Sequence, residues 1–368
     1  MTKKITISLL LGGLLSAVTL YLALRDVPLA ELSAYVGTVA LFWIAPTVGL
    51  VMATFVLRVL RWRLILKGAA DIEFPQAYHP LIIGFMVNCL LPGRLGEIAR
   101  PVLLRQRSRV PVATGLATVV AERMFDIVFL LVLFTGVYPT IAHHSVESVS
   151  FGGLLLNPST LQTIAWGMAR IGIVLLAAIG LFSLHPVRHL TRRTIAALPR
   201  LRPLSRPRWR APAEKASRVM LVLIDNFAAG LNLVRNPRRL ALCLGLTATI
   251  WALTVLSYYT MARGSPGIEL GWRELTTVMV VVCIFIALPS APGYWGLWEA
   301  GGVFALSLFG VTARDAAGFT LVNHAVQMFP VIVAGLVSAV FTSVNILHLP
   351  VAQPESGTLR PLDQEEAP

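Results

Sequence analysis

The sequence predicts an all-α polytopic membrane protein, with about six spanning helices and two oppositely oriented re-entrant helical hairpins that form an inverted repeat. Three observations predict it. Of the 368 residues, 56% are hydrophobic and only 13% charged, with a mean hydropathy of +0.74; a soluble domain carries roughly 25% charged residues. Six apolar runs reach the about 20 residues needed to cross about 30 Å of hydrocarbon. Two further apolar runs are broken by one signature, Pro-Gly-x-x-Gly, at Pro92-Gly93 with Gly96 and at Pro292-Gly293 with Gly296.

The first run, 5–24, follows a basic start, as a signal peptide would, but it is long and no A-x-A site follows, so it reads as a retained span. The second, 35–57, stops before "RVLRWR" at 58–63, which reads as an interfacial anchor with a lipid-phosphate contact as the alternative. The broken segment 77–104 has arms of roughly 12–15 residues, too short to span. It reads as a hairpin, tolerated where protein or a water-filled cavity surrounds it. Spans 112–137 and 161–184 follow, with His143-His144 on the outer loop between them, too slight a pattern for a metal site.

A basic cytoplasmic connection occupies 185–238. Within it, 213–236 places Met220, Leu223, Ile224, Phe227, Leu231 and Val234 on one face of an amphipathic helix, expected on anionic inner-leaflet lipids, with core packing as the alternative. Span 239–262 comes next, then the second hairpin, 275–311, also interrupted by Pro289, and a last span, 316–343. Residues 1–349 thus read as one integral membrane domain, and the Pro-rich, acidic 350–368 as a disordered cytoplasmic tail.

The net charge of +13 does not point to nucleic acid, because the basic residues sit in short connections between apolar runs, where they set topology. With the N-terminus cytoplasmic, 23 of the 31 Lys and Arg residues fall inside and 4 outside. Both termini are therefore expected in the cytoplasm, and the protein in the cell (inner) membrane. Lys67 before the first hairpin and Arg105 after it make that hairpin open from the cytoplasm. The second follows the outward span 239–262 and opens from the opposite side. Cys89, Cys243 and Cys283 all lie in apolar segments and read as packing residues rather than disulfide partners. No G-x-x-x-x-G-K-[ST] loop or metal-ligand motif is present, and no cofactor is expected.

Chemistry concentrates around the breaks. Arg94, Glu97 and Arg100 lie in or after the first, and Glu299 follows the second. The helix after the first hairpin carries Glu122, Arg123 and Asp126 within one turn of each other, and the corresponding helix of the second half carries Asn323, His324 and Gln327. An Arg or Asp facing lipid at mid-membrane costs about 2.5–3.5 kcal/mol, so these groups must face protein, water or a ligand. Two readings stay open: a buried ion-pair network, Arg123 with Glu97 for instance, or a substrate path near the midplane, where paired broken helices put one. Arg170 is either a functional residue or locally paired. Trp295 and Trp298 read as interfacial aromatics or as a gate.

"NCLLPGRLGEIARP" (88–101), "AERMFDIV" (121–128) and "PGYWGLWE" (292–299) together resemble the membrane domain of lysylphosphatidylglycerol synthases and its stand-alone flippase-like relatives, over most of 5–345. The resemblance implies movement of a lipid between leaflets, with substrate contacts at Asn88, Arg94, Glu97, Arg100, Glu122, Arg123, Asp126 and Glu299. Asn323 and His324 stand where a basic Arg is frequent, and Tyr294-Trp295 where small residues are common. Only a short tail follows the membrane region, so lysyl transfer is not implied and a headgroup other than lysylphosphatidylglycerol is expected. The expected function is a flippase or scramblase, not an enzyme, for a membrane lipid that is a phospholipid or polyprenyl-phosphate-linked. An intramembrane enzyme acting on lipid-linked phosphate and an ion or small-solute secondary transporter are the alternatives. The sequence leaves a homodimer open.

Overall fold

A computed structural model describes residues 3–91, 94–108, 110–144, 149–151, 154–156, 185–200, 211–214, 236–288 and 291–344, with isolated helical positions between 163 and 181 and at 217, 220 and 221. Pro92, Gly93, Pro289, most of the expected span 161–184, most of the amphipathic segment 213–236 and the tail 350–368 lie outside the described residues. Among the described residues the regular structure is helical apart from one short antiparallel β-hairpin, β1 Val149–Phe151 with β2 Leu154–Leu156, on a stretch expected to be outer loop.

The first half contains α1 (Lys3–Leu24), α2 (Leu29–Thr38), α3 (Leu41–Leu66), α4 (Phe74–Leu90), α5 (Gly96–Arg107) and α6 (Val112–His144). The connection carries α7 (His185–Ala197), and the second half has α8 (Pro237–Arg263), α9 (Trp272–Phe285), a 3-10 turn (Pro292–Tyr294), α10 (Leu297–Ser307) and α11 (Ala313–Phe341). Local signals set several starts. The Glu73 and Gln76 side chains form a capping box at α4, Asn236 accepts from the Arg239 amide before Pro237 at α8, and Thr312 accepts from the Asp315 amide at α11. Each satisfies an amide that has no partner inside its own helix.

Among the described residues three helices, α3, α8 and α11, are each long and apolar enough to cross a membrane; Gly13–Leu24 of α1 and α2, bent by 78° at their junction, make a fourth if taken together as one span. Their outer surfaces are apolar: Phe329, Val333, Val337 and Val340 of α11 are exposed while Thr320, Asn323, His324 and Ser338 of the same helix are buried. Apolar groups outside and polar groups inside suit a hydrocarbon solvent, where a lipid-facing polar group is costly.

Two boundaries differ from the sequence expectation. The span expected at 35–57 is a helix over 41–66, and residues 29–38 form a separate helix capped by extended Pro28. Its far end runs on because Arg58 and Arg61 point inward to carboxylates rather than outward to an interface. The other difference is α6, which continues past the expected 137 to His144.

The order long helix, helix, break, short helix, long helix occurs twice, as α3–α6 and as α8–α11. At the same place in each break a non-glycine residue takes a left-handed conformation, Arg94 at φ 54° and Tyr294 at φ 63°. Such residues are uncommon at positive φ, so this pairing is a stronger likeness than the shared Pro-Gly dipeptide. The leading helices of the two halves, α3 and α8, pack antiparallel: Thr47 meets Thr260, and further along α3 Arg61 meets Thr247, earlier in α8.

Each break folds its helices back on each other. Asn88 Oδ1 accepts from the Gly96 amide at 2.8 Å, closing α4 onto α5. A Cβ at Gly84 or Gly96 would collide with the backbone carbonyl of the other, so glycine at both positions permits this approach. In the second break Gly293 (φ 68°) and Gly296 (φ 86°) adopt conformations that only glycine takes freely. A Cβ on Gly296 would also strike the Ser16 carbonyl of α1. The breaks meet: Arg94 donates to the Ile286 carbonyl at 2.8 Å, at the end of α9, and Gly293 lies against the Cys89 carbonyl. A cation at that helix end complements the α9 dipole.

Candidate functional site

The charged residues fall into two separate groups. The first is built by α3, α5 and α6. Arg61 Nη1 donates to Asp126 Oδ1 at 2.7 Å and to Thr247 Oγ1 at 2.9 Å, and its Nε lies 3.7 Å from Glu122 Oε1. Arg100 Nη2 lies 2.6 Å from Glu122 Oε2. Arg123 lies 3.7 Å from Glu97 and 3.6 Å from Asp126, and Arg58 lies 3.7 Å from Asp126. Four guanidiniums thus surround three carboxylates, a surplus of one positive charge.

Aromatic rings hold the arginines on their open faces. The Arg100 guanidinium sits 3.9 Å from the centroid of the Trp62 ring, and Trp62 is itself fixed by its Nε1–H donating to Thr118. Arg58 and Arg123 lie 5.6 and 5.9 Å from the Phe85 ring. Such contacts favour a cation by about 0.5–2 kcal/mol each. Nε and Nη2 of Arg61 have no hydrogen-bond partner among the described residues, and on the acceptor side neither do Glu122 Oε2 and Asp126 Oδ2.

The group has a hub and a rim. Arg61, Arg100 and Glu122 have side chains no more than 3% exposed. Arg123 and Glu97 are about a third exposed, at 31% and 30%, and Arg94 is half-buried beside them in the break. Among the described residues Arg94 makes no ion pair. The hub can hold helices together, whereas only the rim can meet a molecule arriving from outside.

The second group belongs to α10 and α11. Glu299 Oε2 accepts from the Gly296 amide at 2.7 Å, and Oε1 lies 2.6 Å from His324 Nδ1. His324 Nε2 lies 2.8 Å from the Gly293 carbonyl. Trp298 stacks on the imidazole, with ring centroids 4.6 Å apart and planes 4° apart, and Trp295 packs beside it at 4.6 Å. Asn323 is buried beside Tyr258, and Gln327 donates to Ser257 at 2.8 Å.

The sequence-predicted set is therefore divided. Glu97, Arg100, Glu122, Arg123 and Asp126 come together. Glu299 and His324 form their own pair. Asn88 and Gly96 close the first hairpin, and Arg94 bridges to the second. Arg58, Arg61 and Trp62 were assigned to the interface, and the structure corrects that: Arg61 and Trp62 are fully buried and Arg61 is the centre of the first group. The signal for this lay in the spacing. Arg58 and Arg61, three apart, share a helix face, and "LIL" at 64–66 continues the apolar run beyond them. Moving both inward lowers the number of basic residues expected on the cytoplasmic side from 23 to 21, against 4 expected outside.

A family model described as "Lysylphosphatidylglycerol synthase TM region" matches residues 9–335. The chain is 25% identical to "Glycosyltransferase AglD" of Haloferax volcanii over 386 aligned positions, covering all of this chain and 58% of that protein. It is 21% identical to a UPF0104 membrane protein of Methanocaldococcus jannaschii, covering 72% of this chain and 97% of that one. A UPF0104 membrane protein of Methanothermobacter thermautotrophicus is 24% identical, with 78% and 79% covered.

Proposed function

The chain belongs to the family of the lysylphosphatidylglycerol synthase membrane region, and from that premise we propose that it is a flippase or scramblase, moving an anionic or amine-bearing lipid headgroup between leaflets without chemical change. The observation that carries this reading is the charge imbalance of the first group, four guanidiniums on three carboxylates with unpartnered N–H donors. A cluster with one cation in excess among the described residues, and with Arg123 on its exposed rim, can pair with one anion. A lipid phosphate supplies that charge and accepts charge-assisted, bidentate bonds from guanidinium groups.

In this reading Arg123 and Arg94 on the rim receive the phosphate, Arg58 stands behind them, and Glu97 accepts from an amine where the headgroup has one. Arg61, Arg100 and Glu122 fix the helices that carry the rim. The acyl chains stay in the bilayer while the headgroup passes the meeting point of the two breaks. About six helices span the membrane, and the α4–α5 and α9–α10 hairpins are re-entrant from opposite sides, an inverted repeat with both termini in the cytoplasm. The antiparallel α3 and α8 and the basic bias support this topology.

The test is leaflet exchange in proteoliposomes with labelled lipids: a phosphatidylglycerol, its aminoacylated form, a zwitterionic phospholipid and a short polyprenyl phosphate. Faster exchange of an anionic or amine-bearing class than in protein-free vesicles is expected. Equal rates with and without protein for all four would refute the reading. A second reading, an intramembrane enzyme acting on lipid-linked phosphate, draws support from the printed name of the Haloferax relative, of which this chain spans 58%. It would be seen in the same vesicles as a new lipid product, where translocation returns the lipid unchanged.

A further inference from the structure

We propose that a cavity between α3 and α8, at the end of α3 that carries Arg63 and Lys67, holds one resident anionic phospholipid, separate from any lipid that is moved. The cavity has a volume of about 310 Å³ and is lined by Leu60, Arg63, Leu64, Lys67, Asp71 and Leu246. Ligand sites span about 300–1,000 Å³. This one accommodates a headgroup and the start of a chain, with the remaining chain outside it along the helices.

The lining is sorted along the helix. Val56, Leu60, Leu64 and Lys67 recur every three or four residues on one face of α3, and Arg63 flanks them. Val56 is exposed, Leu60, Arg63 and Leu64 are half-buried, and Lys67 is exposed. Arg61, Trp62 and Ile65, on the opposite face, are buried in the bundle. From Val56 to Lys67 the axis rises about 16 Å, close to one leaflet's share of about 30 Å of hydrocarbon. Apolar groups line that length and basic groups stand at its end, the order in which a phospholipid presents chains and phosphate. Leu246 of α8 supplies the other wall.

Charge selects the headgroup. Arg63 Nε donates to the Ile72 carbonyl at 2.6 Å, which anchors the guanidinium. Its Nη1 and Nη2 have no hydrogen-bond partner among the described residues. Lys67 Nζ lies 3.9 Å from Asp71 with both side chains exposed, a pair weak enough to admit a closer anion. Two cations and one carboxylate leave one positive charge, which the single negative charge of a phosphodiester cancels. The anchored guanidinium offers two parallel N–H groups to phosphate oxygens, and Asp71 accepts from a headgroup hydroxyl. A phosphoglycerol headgroup meets both requirements, whereas a zwitterionic headgroup leaves the surplus charge in place. Once bound, the lipid joins the leading helices of the two halves beside Thr247, which accepts from Arg61. None of these lining residues belongs to the rim, so the site does not rest on the translocation reading.

The test is phosphatidylglycerol binding to the full-length protein carrying Glu97→Gln and Arg123→Ala, so that a headgroup held at the rim does not contribute. Thermal stabilisation in detergent against lipid concentration gives the affinity, and mass spectrometry of the intact complex counts the lipid retained. One retained phosphatidylglycerol is expected, bound at least about tenfold more tightly than phosphatidylethanolamine. Lys67→Glu reverses the charge of the mouth on an exposed side chain and is expected to weaken binding by about tenfold or more. Leu246→Trp fills the cavity with the charges kept and is expected to weaken it as well. Unchanged affinity in both variants, each still monodisperse, would overturn the site. Equal affinity for the two lipids would overturn the anionic class, and glycerol phosphate binding as tightly as the lipid would overturn a lipid occupant. Absence of lipid exchange in wild type, with this binding intact, would overturn the translocation reading and leave the resident lipid standing.

Discussion

Replacing Arg61 by methionine is expected to destabilise the protein by roughly 3–5 kcal/mol, the cost of removing one partner from a buried ion pair. Asp126 would lose its 2.7 Å bond and Thr247 its donor. The remaining cations reach Asp126 only at 3.6 and 3.7 Å. Arg61 is fully buried where α3, α6 and α8 meet, so water cannot replace it. Thermal unfolding in detergent, or the fraction of monodisperse protein after extraction, reads the effect. Adding Asp126→Asn should recover part of the loss, because the amide no longer needs a counter-charge. A coupling of about 0.5–3 kcal/mol between the two changes is expected for groups in direct contact.

Replacing rim residues should separate transport from folding. Glu97→Gln with Arg123→Ala is expected to bring lipid exchange down to the protein-free rate while unfolding shifts by less than in Arg61→Met: the partly exposed Glu97–Arg123 pair is worth about 0–1 kcal/mol, and Asp126, which also loses Arg123 at 3.6 Å, keeps Arg61 at 2.7 Å. Arg123 and Glu97 lie 3.7 Å apart and each side chain is about a third exposed, at 31% and 30%. The hub, with Arg100 on Glu122 at 2.6 Å, is untouched by both changes. If exchange persists in the folded double variant, the rim does not handle the headgroup. The comparison with Arg61 is informative because both substitutions alter one charged cluster, one at its hub and one at its rim.

What the sequence made legible follows physical range. The two breaks were legible because proline and glycine act within a few residues, and both breaks fall where Pro-Gly-x-x-Gly predicts them. The stripe of Glu122, Arg123 and Asp126 was legible from helical spacing, and so was its need for internal partners. Arg58 and Arg61 were not, because a charge near the end of an apolar run looks the same whether it faces phosphate headgroups or a carboxylate across the helix bundle. Only the residues facing it decide, and those are on α6, 65 positions away for Asp126. Glu299 and His324 were both singled out, but not as partners. Their bond spans 25 positions and exists because α11 returns alongside α10. The bend after α1 has a local signal in Pro28, the residue that precedes the first turn of α2.

The most direct measurement is the side from which each break can be reached. With Cys89, Cys243 and Cys283 replaced, single cysteines at Leu91 and Leu288, which are partly exposed next to the first and second breaks, would be labelled by a membrane-impermeant maleimide applied to each face of oriented vesicles. The inverted arrangement predicts labelling of Leu91→Cys from the cytoplasmic face alone and of Leu288→Cys from the opposite face alone. Labelling of both from one face would contradict it, and with it a headgroup path running between the two hairpins.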